Sequence, residues 1–163
     1  MLSLVLLLTL AVAPVPAGAA LESPSRHVRG TIAYVDRLLK DGFYRSPTFA
    51  QLVARIEGSD VIVYVELVPS LPAPLEGRLF LMAQAHGHRY VRIQIAKRDT
   101  FEDTIALLGH ELQHAAEVAE ATEVVNQTRF EALYARIGIV SGEHRYETEV
   151  ALKVGRQVRK ELA

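Results

Sequence analysis

The sequence predicts a single α+β domain, because helical and strand patterns occupy separate stretches of the chain. Apolar residues recur at helical spacing over residues 28–56. A run rich in β-branched residues covers 61–68, and two more strand-like runs follow at 79–85 and 90–96. From about residue 100 the pattern is helical again. This order predicts N-terminal helices, a small antiparallel sheet and a C-terminal helical part.

Two helices are expected before the sheet. The first is predicted from apolar residues that begin at Val28 and stop at Asp41-Gly42. The second begins at Ser46-Pro47, a pair that suits a helix N-cap followed by proline at the first helical position. Gly58-Ser59 ends this second helix. The N-terminal third of the mature chain is therefore predicted to be helical.

Turn-forming residues separate the strands, and capping residues mark the helices that follow. His86-Gly87-His88 forms a hairpin-like turn between the second and third strands. Asp99 is the predicted N-cap of a long helix, with Glu102 three residues later as in a capping box. A shorter helix ends at Gly138, and the last helix is expected to run from near Gly142 to the C-terminus.

Residues 1–20 carry no charged side chain and contain an apolar run followed by prolines and small residues. The run from Leu2 to Ala13 is short for a bilayer span, and Ala17-Gly18-Ala19 matches an A-x-A cleavage pattern. We therefore predict a signal peptide over 1–20 and an exported domain over 21–163, with no stable membrane span in the mature form. The alternative is an uncleaved anchor.

The composition restricts both the expected cellular location and the side chains that could bind a metal. No cysteine is present, which excludes disulfides, thiolate metal sites and cysteine nucleophiles. Export without disulfides favours a bacterial periplasmic or extracellular protein. The net charge of -1 gives no electrostatic basis for nucleic-acid binding. Any metal must therefore be held by His, Asp or Glu side chains.

The segment His110-Glu111-Leu112-Gln113-His114 matches the H-E-x-x-H pattern. Residues four apart on a helix share a face, so His110 and His114 can bind one Zn²⁺. Glu111 lies about 100° round the helix, where its carboxylate can reach a water on the metal without being a ligand. Zinc lowers the pKa of that water towards ~7, and the glutamate accepts its proton. The pattern predicts a zinc-dependent hydrolase with Glu111 as the catalytic base.

The rest of the predicted helix suits this interpretation. Its opposite face is apolar and can pack on the core, while Ala106 on the histidine face leaves room for a metal and a substrate. The alternative is a surface helix with an accidental histidine pair. The apolar face contains Leu108, Leu112, Ala115 and Ala119.

The segment from Leu107 to Ala115 resembles the active-site helix of the zincin metallopeptidases, and a strand just before that helix also resembles them. In that superfamily such a strand pairs with an extended substrate, which implies a peptide or protein substrate. The metzincin subgroup needs a glycine and a third histidine where this chain has Glu117 and Glu120. The remaining resemblance is to the gluzincins, which implies a glutamate on a later helix as third ligand.

Glu147 is the predicted third ligand. Taken as part of the last helix, it shares a stripe with apolar residues, whereas Glu149 lies with basic ones. A carboxylate on a buried stripe is costly unless it is paired or binds a metal. Glu117 lies about 10 Å along the helix from His110, so it is expected to support the ligands or to line the rim. Glu131 is a minor candidate.

Two other functions compete with a zinc peptidase. One is a non-catalytic zincin-like module that binds a peptide or a partner, and the other is a zinc hydrolase of a non-peptide amide or ester. Glu111 counts against the binding module, which needs no general base at that position. The sequence leaves open which of Tyr134, His144 and Tyr146 would stabilise an oxyanion.

Overall fold

The computed structural model describes residues 24–140 and 146–163, and within these ranges the chain is an α+β domain with five helices and a small mixed sheet. The predicted signal segment 1–20 lies outside the described residues. None of the helices in the described ranges is long and apolar enough to cross a membrane. The elements in chain order are β1 (Val28–Gly30), α1 (Ala33–Arg45), α2 (Pro47–Glu57), β2 (Val61–Val68), β3 (Gly77–Ala85), β4 (His88–Ala96), α3 (Phe101–Glu120), α4 (Gln127–Ile137), β5 (Ile139–Val140), β6 (Tyr146–Glu147) and α5 (Glu149–Leu162).

The four-stranded sheet has the order β1-β2-β4-β3. Its strands β1, β2 and β4 are parallel, and only β3 is antiparallel, to β4. The predicted antiparallel sheet is therefore wrong except for this hairpin. A parallel pair needs a crossover connection, and α1 with α2 supplies it between β1 and β2. Val28, predicted to start a helix, instead pairs with Val63.

Strand β3 forms one edge of the sheet. Its pairing with β4 is regular from Gly77 to Leu81 and then shifts by one residue before Ala83. The extra residue, Met82, is a β-bulge, which bends a strand and increases its twist. The regular part of this edge thus ends at Leu81.

Helices α1, α2 and α3 pack against the sheet and enclose the core. The predicted alternation along β4 is confirmed, because Val91, Ile93 and Ile95 are fully buried while Arg92 and Gln94 are partly exposed. The apolar face predicted for α3 is also buried. This packing fixes one side of α3 and leaves its histidine side to face a cleft.

A fully buried arginine, Arg89 of β4, anchors the end of α3. Its Nε and one terminal nitrogen donate to the two Asp60 oxygens at 2.8 and 2.6 Å. Its guanidinium also donates to main-chain oxygens at the end of α3, where the last carbonyls lack partners within a helix. These acceptors are the carbonyls of Val118, Ala119, Ala121 and Val124.

The helix starts follow capping chemistry more closely than apolar spacing. Ser46 caps α2 with Pro47 at its first position, as predicted. Thr100, rather than Asp99, caps α3 by accepting a hydrogen bond from the Asp103 N–H at 3.0 Å. Thr148 caps α5, which therefore begins later than predicted. Glu147 precedes the last helix instead of lying on it.

Candidate metal centre

Helix α3 positions three polar side chains at the floor of a cleft. His110, Glu111 and His114 are adjacent to this cleft, which has a volume of about 750 Å³. Strand β3, helix α4 and helix α5 form its walls. Helix α5 comes close because Gly155 packs on His110: a Cβ at Gly155 would lie 3.2 Å from the His110 Cβ.

Glu147 completes the group from the opposite side. It lies in β6, which pairs with β5 through Ile139. One Glu147 oxygen is 3.4 Å from His110 Nε2, and the other is 3.6 Å from His114 Nε2. The three side chains each offer a ligand atom within 4.8 Å of the others. The structure therefore brings together the three residues predicted as ligands, although the helical reason given for Glu147 was wrong.

The donor set and its spacing fit a zinc ion. Two imidazoles and a carboxylate are donors that zinc takes in catalytic sites. With bonds of about 2.0–2.1 Å in tetrahedral geometry, donor atoms lie about 3.3 Å apart. The two contacts of Glu147 with His110 and His114 are close to that spacing. These three residues could hold the metal with small adjustments of the side chains.

Glu117 contacts the ring nitrogen of His114 that does not face Glu147. Its Oε2 atom lies 2.9 Å from His114 Nδ1, which leaves Nε2 facing Glu147. The other Glu117 oxygen accepts hydrogen bonds from Thr148 at 2.8 Å and Gln113 at 3.2 Å. Burial favours the neutral ring, but the bonds to the Glu117 and Glu147 carboxylates outweigh it and raise the pKa of His114 to about 10. The cluster thus attracts positive charge.

The ring of His110 has different surroundings. Burial, reinforced by the neighbouring His114, lowers the pKa of His110 below its ordinary value. The Glu147 carboxylate and the backbone of Ala151 act in the opposite direction but do not outweigh burial. Neutral imidazole, the form that binds metals, is thus favoured at His110, whereas metal binding at His114 requires loss of its ring proton.

Glu111 faces the cleft beside the cluster and is 4% exposed. Burial raises the pKa of Glu111 to about 7. A Cβ at Gly77, the first residue of β3, would lie 2.2 Å from the Glu111 Oε1 atom. Only glycine at this position leaves room for the carboxylate as it is placed.

Of the three side chains considered for oxyanion stabilisation, only Tyr134 can be placed. It lines the cleft, and its hydroxyl donates to the His114 carbonyl at 3.3 Å. Burial raises the pKa of Tyr134 well above its ordinary value, so the hydroxyl stays protonated. His144 and the side chain of Tyr146 lie outside the described residues.

Other glutamate and histidine side chains of the chain have different surroundings. Glu131 lines the cleft but accepts from Gln127 at 3.0 Å. Glu149 is exposed and lies 3.6 Å from Lys153. His86 lies in a turn with a positive φ of 52°, and the ring of His88 contacts the Asp60 carbonyl. None of these belongs to the metal-binding group found among the described residues.

Sequence reasoning missed three residues that shape the site. Gly77 follows a proline-rich loop, and nothing in the sequence indicates that it would meet Glu111. In the sequence, nothing distinguishes Arg89 from an ordinary charged residue at the start of a strand. Thr148 carried a usable signal, because threonine is a preferred N-cap residue.

Comparison with known proteins gave no match to a family model, to a curated protein or to a solved structure. The function is therefore argued from the geometry of the site and from the resemblance of the segment 107–115 to the zincin helix.

Proposed function

We propose that this protein is a zinc-dependent hydrolase, and specifically a metallopeptidase of zincin type. His110, His114 and Glu147 would hold the zinc ion, and Glu111 would act as general base. The observation that carries the proposal is the convergence of two imidazoles and a carboxylate beside the buried Glu111 carboxylate at the floor of a cleft. A zinc ion bound there supplies a Lewis acid that polarises a carbonyl and acidifies water.

The chain itself supplies proton transfer and orientation. The Glu111 carboxylate can accept a proton from an attacking water and deliver it to the leaving group. Tyr134 and Glu117 hold the backbone and the ring of His114 respectively. Because both supports are buried, the position of His114 is defined before substrate arrives.

Peptide substrates are favoured over small esters by the shape of the cleft wall. Residues 77–80 of β3 line the cleft, and β3 is an edge of the sheet. An extended peptide can add to such an edge through main-chain hydrogen bonds. The zincin resemblance implied this role for the strand just before the motif helix, but that strand, β4, lies inside the sheet between β2 and β3. We therefore assign the substrate-pairing role to the neighbouring edge strand β3.

The test compares wild-type protein (residues 21–163) with Glu111→Gln on a peptide library. Wild type loaded with zinc should cleave peptides and lose activity with chelator. Glu111→Gln should keep its zinc by elemental analysis and lose hydrolysis, because an amide cannot accept the proton. Glu149→Gln is the matched control and should behave as wild type, since Glu149 is exposed away from the cluster.

Three outcomes would redirect the proposal. Retained turnover in Glu111→Gln would remove the general-base role. Zinc-loaded wild type that binds peptides without cleaving them would instead support the non-catalytic module. Cleavage of esters or small amides alone would support the other alternative.

Export belongs to the same proposal and rests on the sequence alone. The mature protein should begin near Ala20 or Leu21, because the A-x-A pattern ends at Ala19. Mass spectrometry of the protein from its native host measures this directly. A main species that retains Met1 would favour an anchored or non-exported protein.

A further inference from the structure

Thr148 lies between the predicted third ligand and helix α5, and it is 2% exposed. Its backbone N–H donates to Glu147 Oε1 at 2.8 Å. Its hydroxyl donates to Glu117 Oε1 at 2.8 Å and accepts from the Ala151 N–H at 3.1 Å. One residue therefore contacts the Glu147 carboxylate, the Glu117 carboxylate and the start of a helix.

These contacts close a ring around the candidate metal centre. His114 Nδ1 bonds Glu117 Oε2, Glu117 Oε1 bonds the Thr148 hydroxyl, and the Thr148 N–H bonds Glu147. Glu147 returns to His114 Nε2 at 3.6 Å. Two predicted ligands from different elements are thus joined through Thr148.

We propose that Thr148 is a positioning residue that sets the separation of His114 and Glu147 for metal binding. This inference rests on the metal site of the proposed function and assigns to Thr148 a role that the motif does not contain.

The physical reason lies in the short strand that contains Glu147. It belongs to a strand of two residues that pairs with another strand of two residues. So short a pair cannot by itself fix a side chain, since isolated two-stranded hairpins are marginal in stability. The hydroxyl of Thr148 ties this segment to Glu117 on the well-packed helix α3. Ligands that are already in place lose less conformational freedom when the metal binds.

A simpler role for Thr148 is that of a helix cap alone. Its oxygen accepts from Ala151 as an N-cap residue does, so loss of the hydroxyl would also weaken the start of α5. Thr100 provides a matched control because it caps α3 in the same way and lies ten residues before His110. Thr100→Val and Thr148→Val remove the same group from equivalent positions.

The experiment measures zinc affinity by competition with a chromophoric chelator, alongside thermal unfolding. Thr148→Val should lower affinity about 10–100-fold, the range typical of outer partners of metal ligands. Thr148→Ser should restore it. Thr100→Val should lower the unfolding temperature and leave zinc affinity unchanged. In a Glu117→Ala background, Thr148→Val should have little further effect on affinity, because the bond it removes is already gone.

The results separate this inference from the proposed function. Wild type that binds no zinc would overturn both. Wild type that binds zinc with Thr148→Val equal to it would overturn only the role of Thr148. If Thr148→Val lowered zinc affinity as much in the Glu117→Ala background as it does in wild type, the role of Thr148 would also be overturned. The effect would then not depend on Glu117. Should Thr148→Val fail to fold, Thr148→Ala measured in the same way decides between these outcomes.

Discussion

Two buried clusters of ionisable side chains lie along helix α3, and they are built in opposite ways. At the C-terminal end, the Arg89 guanidinium donates to both oxygens of Asp60 and to four main-chain carbonyls. In the middle of the helix, His110, His114 and Glu147 each place a potential ligand atom within 4.8 Å of the others. The first cluster is saturated by the protein, and the second converges on a point beside a cleft.

The difference teaches that burial alone does not identify a functional site. The Arg89 side chain is 0% exposed and that of His114 is 6% exposed, so burial does not separate them. The two clusters differ in what their polar atoms contact. The hydrogen bonds of the Arg89 guanidinium all go to other groups of the fold, which makes its role structural. The histidines and Glu147 instead bring together three side chains that could hold a metal ion.

The largest expected effect follows from removing Arg89. Arg89→Leu should lower the free energy of unfolding by about 3–5 kcal/mol, because several buried acceptors lose their donor. Urea unfolding measures the loss, and folded protein should still bind zinc. Arg92→Leu is the control: Arg92 lies on the solvated face in a surface pair with Glu66, so its loss should cost less than about 1 kcal/mol. Equal costs for the two variants would contradict the comparison.

Removing a histidine should abolish metal binding, and His114→Ala should also lower stability because the buried Glu117 carboxylate loses its partner. His110→Ala and His114→Ala should lose zinc on dialysis while wild type keeps about one equivalent, as a three-residue zinc site requires. Elemental analysis and circular dichroism report the two properties. His86→Ala should retain zinc, because His86 lies in an exposed turn. Unchanged zinc in both helix variants would exclude the site.

Replacing Glu147 and Glu149 separately by alanine sharpens the comparison within one segment. Glu147→Ala should weaken zinc binding by more than the roughly 10–100-fold typical of outer partners. Glu149→Ala should change neither affinity nor stability measurably, since Glu149 is a surface residue paired only with Lys153. Titration of both variants with zinc against a chelator measures the difference. Equal affinities would remove Glu147 as a ligand.

A smaller effect is expected at Gly77, where strand β3 borders the cleft. Gly77→Ala should lower the free energy of unfolding by about 1–3 kcal/mol, because its methyl group overlaps the Glu111 carboxylate. The cost should largely disappear in a Glu111→Ala background, which removes the overlapping atoms. Thermal or urea unfolding of the four proteins in this cycle gives the coupling. Additive effects would show that Gly77 does not define the position of Glu111.

The smallest effect concerns a carboxylate far from either cluster. Burial alone would raise the pKa of Glu161, but hydrogen bonds from Ser46, Gln157 and Thr48 outweigh it and lower that pKa to about 2. Its contribution to stability is therefore present above pH 4.5 and is lost as the pH falls towards 2. Because the group is partly exposed and solvent screens its interactions, Glu161→Gln should change stability by only about 1 kcal/mol at neutral pH, measured by urea unfolding. A difference that grows on acidification would contradict this.

The sequence predicted the motif helix and most element boundaries because these depend on local spacing and capping. His110, Glu111 and His114 share a cleft, as helical periodicity requires. The direction of the strands was not predictable in this way, because it depends on which connections cross the sheet. Val28 entered a strand because pairing with β2 outweighed a helical pattern of apolar residues.

Glu147 shows the limit of periodicity most clearly. Its helical stripe included Val150, which is in fact 52% exposed, and Glu147 itself precedes the helix. The residue nevertheless lies against both histidines, because Thr148 ends the strand and starts the helix at that point. Its role as a metal ligand stays a prediction. Reading Thr148 as an N-cap would have placed the helix start correctly.

The edge strand β3 has a consequence for the behaviour of the protein in concentrated solution. An unpaired strand edge is a template for any extended chain, including another copy of the same protein, and can lead to aggregation. Phe80 and Met82 are exposed on this strand and increase that hazard. The bulge at Met82 limits it, because a bulge interrupts the regular geometry of an edge strand and increases its twist. The stretch before the bulge borders the cleft, so a bound peptide there would also cover part of the edge that another copy could pair with.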